Sequence, residues 1–150
     1  MAALTLLLGT LAASVAFGLV YSRRNGRTRE VHDPARLGTD DLAALGIAGA
    51  LGARATLVQF SSAFCAPCRA TRRILTEVAD LVDGVTYTEV DAESHLDAVR
   101  RFHVLRTPTV LVLDADRRVV VRASGQPRKA DVLAAVGRAV DAAGAPVAAS

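Results

Sequence analysis

Cys65-Ala66-Pro67-Cys68 sets the only two cysteines of a 150-residue chain three positions apart. The apolar run Leu57-Val58-Gln59-Phe60 leads into the pair, and a helix-like stretch follows it. Thiols at this spacing, opening a helix after a strand, point to redox chemistry. The partial positive charge of a helix N-terminus favours a thiolate, which is the nucleophile in disulfide exchange. Such a chain must therefore bring a strand end and a helix start together at one point.

Other uses of the pair fit less well. As a staple, the bridge closes a loop so short that it contributes only about 2 kcal/mol, against about 4.7 kcal/mol for a 100-residue loop. A closed zinc site needs four ligands, and two cysteines supply half of them. His95 and His103, if on one helix, stand about 12 Å apart along its axis and cannot share an ion. A copper or zinc carrier drawing ligands from a second chain stays open. Two inert core thiols are at odds with Pro67 between them and with Arg69, Arg72 and Arg73 just after. Those arginines favour a thiolate where they lie near it, and suit a solvated helix face equally well.

Met1 to Ser22 carries no charged side chain. Residues 2–21 are long enough, as a helix, to cross about 30 Å of hydrocarbon. We read them as a single transmembrane anchor. A cleaved signal peptide is the competing reading, with Ser14-Val15-Ala16 as its small-residue cleavage site, but the charged leading region of such peptides is missing. Arg23, Arg24, Arg27 and Arg29 follow at once. From Val31 to Ser150 the chain holds 14 basic and 14 acidic residues, so the net charge of +3 comes from these arginines less Glu30. The excess is a local flank, and it gives no argument for nucleic acid. Basic flanks stay cytoplasmic, which predicts a cytoplasmic thiol domain on a single-pass anchor. An inverted or cleaved anchor places the domain outside instead. The same arginines suit anionic lipid headgroups.

Four segments follow from this reading: an anchor over 1–22, a basic linker over 23–38, an α/β domain over 39–143 and a flexible tail over 144–150. Within the domain, Thr39-Asp40-Asp41 caps a short helix through Leu45. Thr56–Phe60 and Val85–Val90 read as strands. The helix between them runs from Cys65 to Val82, with Ile74, Leu75, Val78, Leu81 and Val82 as its apolar stripe. Pro67 sits in the first turn, where a missing N–H costs little. His95–Val104 reads as a helix with Leu96, Val99 and Phe102 inward. Val110–Leu113 and Val119–Val121 flank a turn at Asp114–Arg117 and form a hairpin at the sheet edge. A last helix, Arg128 to about Ala142, faces inward with Val132, Leu133, Val136 and Val140. Alternation of this kind predicts a mixed central sheet flanked by helices.

The element order, with CxxC at the first strand-to-helix junction and Thr107-Pro108-Thr109 before a later strand, resembles the thioredoxin family over roughly residues 39–143. Phe64-Cys65-Ala66-Pro67-Cys68-Arg69 stands where that family usually has Trp-Cys-Gly-Pro-Cys-Lys, and Gly125 fits the glycine after its last strand. The resemblance implies a thioredoxin-like fold and a thiol–disulfide oxidoreductase. In it, Cys65 is the attacking thiol and Cys68 the resolving one. Pro108 is cis, and Phe64, Ala66, Pro67, Thr107 and Pro108 meet the substrate. It implies a protein or low-molecular-weight disulfide as substrate, a separate electron donor, and no cofactor beyond the two sulfurs. The family's buried aspartate falls at Gln59, which cannot act as a base. Its tryptophan falls at Phe64, which keeps an apolar wall without an N–H donor. A redox-inactive binding module is the reading from another class, because a fold does not fix its function.

Overall fold

The computed structural model describes residues 2–32, 36–47, 49 and 51–143. The tail assigned to 144–150 lies outside them. The chain opens with α1 (Ala2–Arg24), whose described side chains are all exposed. Its stretch Ala2–Tyr21 is long and apolar enough to be a membrane span, and a signal sequence has the same character.

Among the described residues, five strands form one mixed sheet in the order β1-β5-β4-β2-β3. They are β1 (Thr28–Glu30), β2 (Ala55–Ser61), β3 (Val85–Asp91), β4 (Thr109–Asp114) and β5 (Val119–Ser124). β2 and β3 run parallel, joined by α3 (Ala66–Leu81), while β2–β4, β4–β5 and β5–β1 are antiparallel. α2 (Thr39–Ala44), α4 (Leu96–Arg101) and α5 (Lys129–Ala143) are the remaining described helices.

Successive residues of a strand face opposite sides, so β2 feeds two cores. Ala55 and Leu57 join Leu75 and Val78 of α3 and Val132, Ala135, Val136 and Ala139 of α5 on one face. Val58 and Phe60 join Leu42, Leu45, Ile47 and Ala98 beneath α2 and α4 on the other. Burial on both faces explains the predominantly apolar sequences of β2 and β4, which are buried at every position.

Several expectations are corrected. The segment read as a linker contributes β1, which pairs Thr28 with Ala123 and Glu30 with Val121. The β4–β5 hairpin is therefore interior, because β1 covers its outer strand. Leu96 is 53% exposed and Ala98 takes the inward position, because α4 has only six residues and cannot hold a long stripe. Leu81, the last residue of α3, is 62% exposed, and Leu133 is 39% exposed while Ala135 and Ala139 fill that face. Small side chains let α5 approach the sheet closely.

Gly125 ties three segments together. Its N–H donates to the Pro108 carbonyl at 2.7 Å, and its φ of 93° lies where side chains are strained. A Cβ there would run into the Asn25 side chain and stand 2.9 Å from the Gly26 nitrogen. Gly125→Ala is expected to lower stability by about 1–2 kcal/mol from the backbone alone. Gly137→Ala, mid-helix in α5 with open space around it, should instead raise stability by roughly 0.5–1 kcal/mol. Thermal melts of the two variants should move in opposite directions.

Candidate functional site

β2 ends at Ser61, and α3 begins five residues later at Ala66. Cys65 is the N-cap of α3, with extended backbone and a sulfur that accepts from the Cys68 N–H at 3.2 Å. Pro67 lies in the first turn, where it withdraws no needed donor. Cys65 and Cys68 form a disulfide with Cα atoms 5.2 Å apart. The Cys65 sulfur here stands in for the thiolate of the reduced state. A thiolate at that position inherits the helix N-terminal N–H and the local positive potential, both of which favour the charged form.

The two sulfur positions differ in access. Cys65 is half-buried beside exposed Phe64, Ala66 and Pro67, whereas Cys68 is only 2% exposed. A cleft of about 500 Å³ opens on both cysteines, walled by Ser61, Ser62, Arg69, Arg72, Glu89 and Asp91 among others. Thr107 and Pro108 do not line it. They meet the motif through Ser62, whose hydroxyl lies 3.1 Å from that of Thr107. The Thr107–Pro108 bond is cis. Pro108 is buried and Thr107 half-buried, and Thr109 donates its hydroxyl to the Arg106 carbonyl at 2.8 Å.

Beneath the disulfide, Gln59 is fully buried with both ends of its amide in use. Its Nε2 donates to the Cys68 carbonyl at 3.0 Å, and its Oε1 accepts from the Tyr87 hydroxyl at 3.1 Å. Gln59 thus braces the first turn of α3, and no carboxylate occupies its place. Burial pushes the Tyr87 hydroxyl up to about 12, with the neighbouring Glu89 carboxylate adding and the Arg72 guanidinium opposing. Arg72 donates to Glu89 at 2.6 Å, and that bond holds its guanidinium above its ordinary value. The pair spans the cleft wall from α3 to β3. Hydrogen bonds from Ser94 and the Glu93 N–H hold the Asp91 carboxyl below its usual range.

Tyr87 carries a pH consequence. Its proton leaves the unfolded chain near 10 and the folded chain near 12, so the folded state binds more protons between those values. The stabilisation is present below pH 10 and declines as pH rises toward 12. Urea melts should show stability falling more steeply over this window in the parent than in Tyr87→Phe.

The sequence reading did not single out Ser62, Tyr87 or the Arg72–Glu89 pair. Ser62 gave no local signal, and Tyr87 read only as a strand former. Their partners are brought together by the sheet: Gln59 and Glu89 are neighbours in the β2–β3 register.

Comparison with known proteins places this arrangement among relatives. The thioredoxin family model matches residues 50–138. Thioredoxin of Alicyclobacillus acidocaldarius subsp. acidocaldarius is 29% identical over 79 residues, covering 52% of this chain and 75% of that one. Thioredoxin of Mycobacterium bovis is 32% identical over 78 residues, covering 51% of this chain and 66% of that one. Among solved structures, Fasciola hepatica thioredoxin superposes with a TM-score of 0.51 at 23% identity, over 58% of this chain and 82% of that one. Likeness at that identity speaks for the fold, and the chain's own cysteine geometry speaks for the chemistry.

Proposed function

The chain belongs to the thioredoxin family and is a protein-disulfide oxidoreductase, and we propose that it works as a membrane-tethered reductase facing the cytoplasm. The observation that carries the chemistry is the asymmetry of the pair: Cys65 half-buried at a helix N-cap, Cys68 2% exposed behind it.

In the proposed cycle the Cys65 thiolate attacks one sulfur of a substrate disulfide. A Cys65–substrate bond forms and one substrate thiolate leaves. Cys68 then loses its proton and attacks the Cys65 sulfur. The mixed disulfide breaks, the second substrate thiolate leaves, and the Cys65–Cys68 bond forms. The substrate has gained two electrons and takes up two protons. A dithiol donor returns the chain to its reduced form by the same exchange in reverse. The two sulfurs carry the electrons, so the cycle calls for no further cofactor. Phe64, Ala66 and Pro67, exposed around Cys65, are assigned to contact the substrate, with Thr107 and Pro108 on the adjoining loop.

The tether reading is supported by the uncharged span Ala2–Tyr21. The cytoplasmic assignment is supported by the arginines that follow it and by the reducing character of that compartment. The reduction potential of the Cys65–Cys68 pair tests the direction. A value near about −270 mV marks a reductase, while one near about −120 mV marks an oxidant and reverses both electron flow and sidedness. A reporter fused to the C-terminus should give a cytoplasmic signal. Insulin reduction driven by dithiothreitol tests turnover itself, since a binding module gives none above the reductant alone.

A further inference from the structure

The antiparallel pairing of β1 with β5 fixes where α1 enters the domain. β2 ends, β4 begins, β5 ends and β1 begins at one and the same end of the sheet. That end carries the CxxC motif after β2 and the cis Thr107–Pro108 bond before β4. Strand spacing puts the start of β1 about 14 Å across the sheet from the end of β2, three strands away.

No free linker separates α1 from this end. The Asn25 N–H still donates to the Tyr21 carbonyl at 2.9 Å, and the Gly26 N–H donates to the Ser124 carbonyl at 3.0 Å. Gly125 then donates to Pro108, and Thr107 reaches Ser62. The apolar span stops at Tyr21, so one further helical turn separates it from the redox end.

The surface between the two is strongly basic. A cleft of about 790 Å³ is lined by Arg27, Arg29, Arg106, Arg122, His103 and Leu105, together with Ser124, and contains no carboxylate. Arg29 and Arg122 are direct register partners across β1 and β5. Like charges so placed cost stability unless an anion lies against them. Arg122 is committed to the Phe102 and His103 carbonyls at 2.6 and 2.7 Å, and its burial lowers its ordinary pKa. Among the described residues no carboxylate pairs with Arg27 or Arg29. Two apolar side chains stand almost fully in solvent at this end, Phe64 at 98% and Leu105 at 94%. Cations beside exposed aromatic and aliphatic groups suit a bilayer interface.

We infer that the redox end of the domain faces the bilayer, with the basic cleft seated over anionic phospholipid headgroups. The disulfide it exchanges with is then one presented at the membrane surface. This rests on the reading of α1 as a retained anchor.

The chain contains no tryptophan, so single reporters can be placed at will. Phe64→Trp and Leu105→Trp mark the redox end, and Ala115→Trp marks the exposed turn at the far end of the hairpin. The full chain is reconstituted in phosphatidylglycerol vesicles carrying a headgroup quencher. Quenching at 64 and 105 is expected to exceed that at 115 at least threefold, and to fall when phosphatidylcholine replaces phosphatidylglycerol. Equal or reversed quenching overturns the orientation, and indifference to lipid charge overturns the headgroup contact. A chain that washes off the vesicles in carbonate overturns the anchor reading itself, with insulin turnover standing as a separate measure of the oxidoreductase.

Discussion

Cys65→Ser is expected to abolish disulfide exchange, lowering insulin reduction by more than about a thousandfold, because the hydroxyl that replaces the thiol is no nucleophile at neutral pH. Cys68→Ser should behave differently. Its Cys65 still attacks, but nothing resolves the product, so a stable substrate adduct accumulates. Non-reducing mass spectrometry should find that adduct in Cys68→Ser and not in Cys65→Ser. The contrast follows from position, since Cys65 is half-buried at the N-cap and Cys68 is buried in the first turn. An adduct trapped on Cys68 instead would reverse the roles assigned here.

Phe60→Ala is expected to cost about 3–5 kcal/mol. Phe60 is fully buried in the core beneath α2 and α4, its ring tilted against that of Phe102 with centroids 6.2 Å apart. The void left cannot close, because the β2 backbone beside it is hydrogen-bonded on both sides. The thermal midpoint should fall by roughly 12–20 °C, at about 4 °C per kcal/mol for a domain of this size. A loss below about 1 kcal/mol would mean that Phe102 swings in to fill the space, which the tilted geometry argues against.

The sequence carried the parts of this fold whose signals are local. The runs Leu57–Phe60 and Val110–Leu113 were legible as strands because burial on both faces leaves them almost wholly apolar, with Gln59 the one polar side chain among them. The start of α3 was legible because Pro67 and the paired thiols are compatible with few other positions. β1 was not legible, since Thr28–Glu30 is three polar residues on a half-exposed edge whose partner lies some ninety residues on. The inward face of α4 was misread because six residues do not fix the phase of a stripe, and Ala98 rather than Leu96 was buried. Within the site, the cysteines announced themselves by spacing. Ser62, Tyr87 and Glu89 did not, because each acquires its role from a partner 17 to 45 positions away. The arginines of the basic cleft lie at 27, 29, 106 and 122, and only the strand order gathers them.

The outer edge of β3 bears on how such chains share a surface. Among the described residues no strand pairs beyond it, and its side chains are mostly half-buried. An open edge is a template for a second copy. Glu89 and Arg72 stand guard on this flank, one charge on the strand and its partner on the overlying helix. The ion pair that walls the cleft thus also sets charge beside the open edge, and charge there disfavours edge-to-edge pairing.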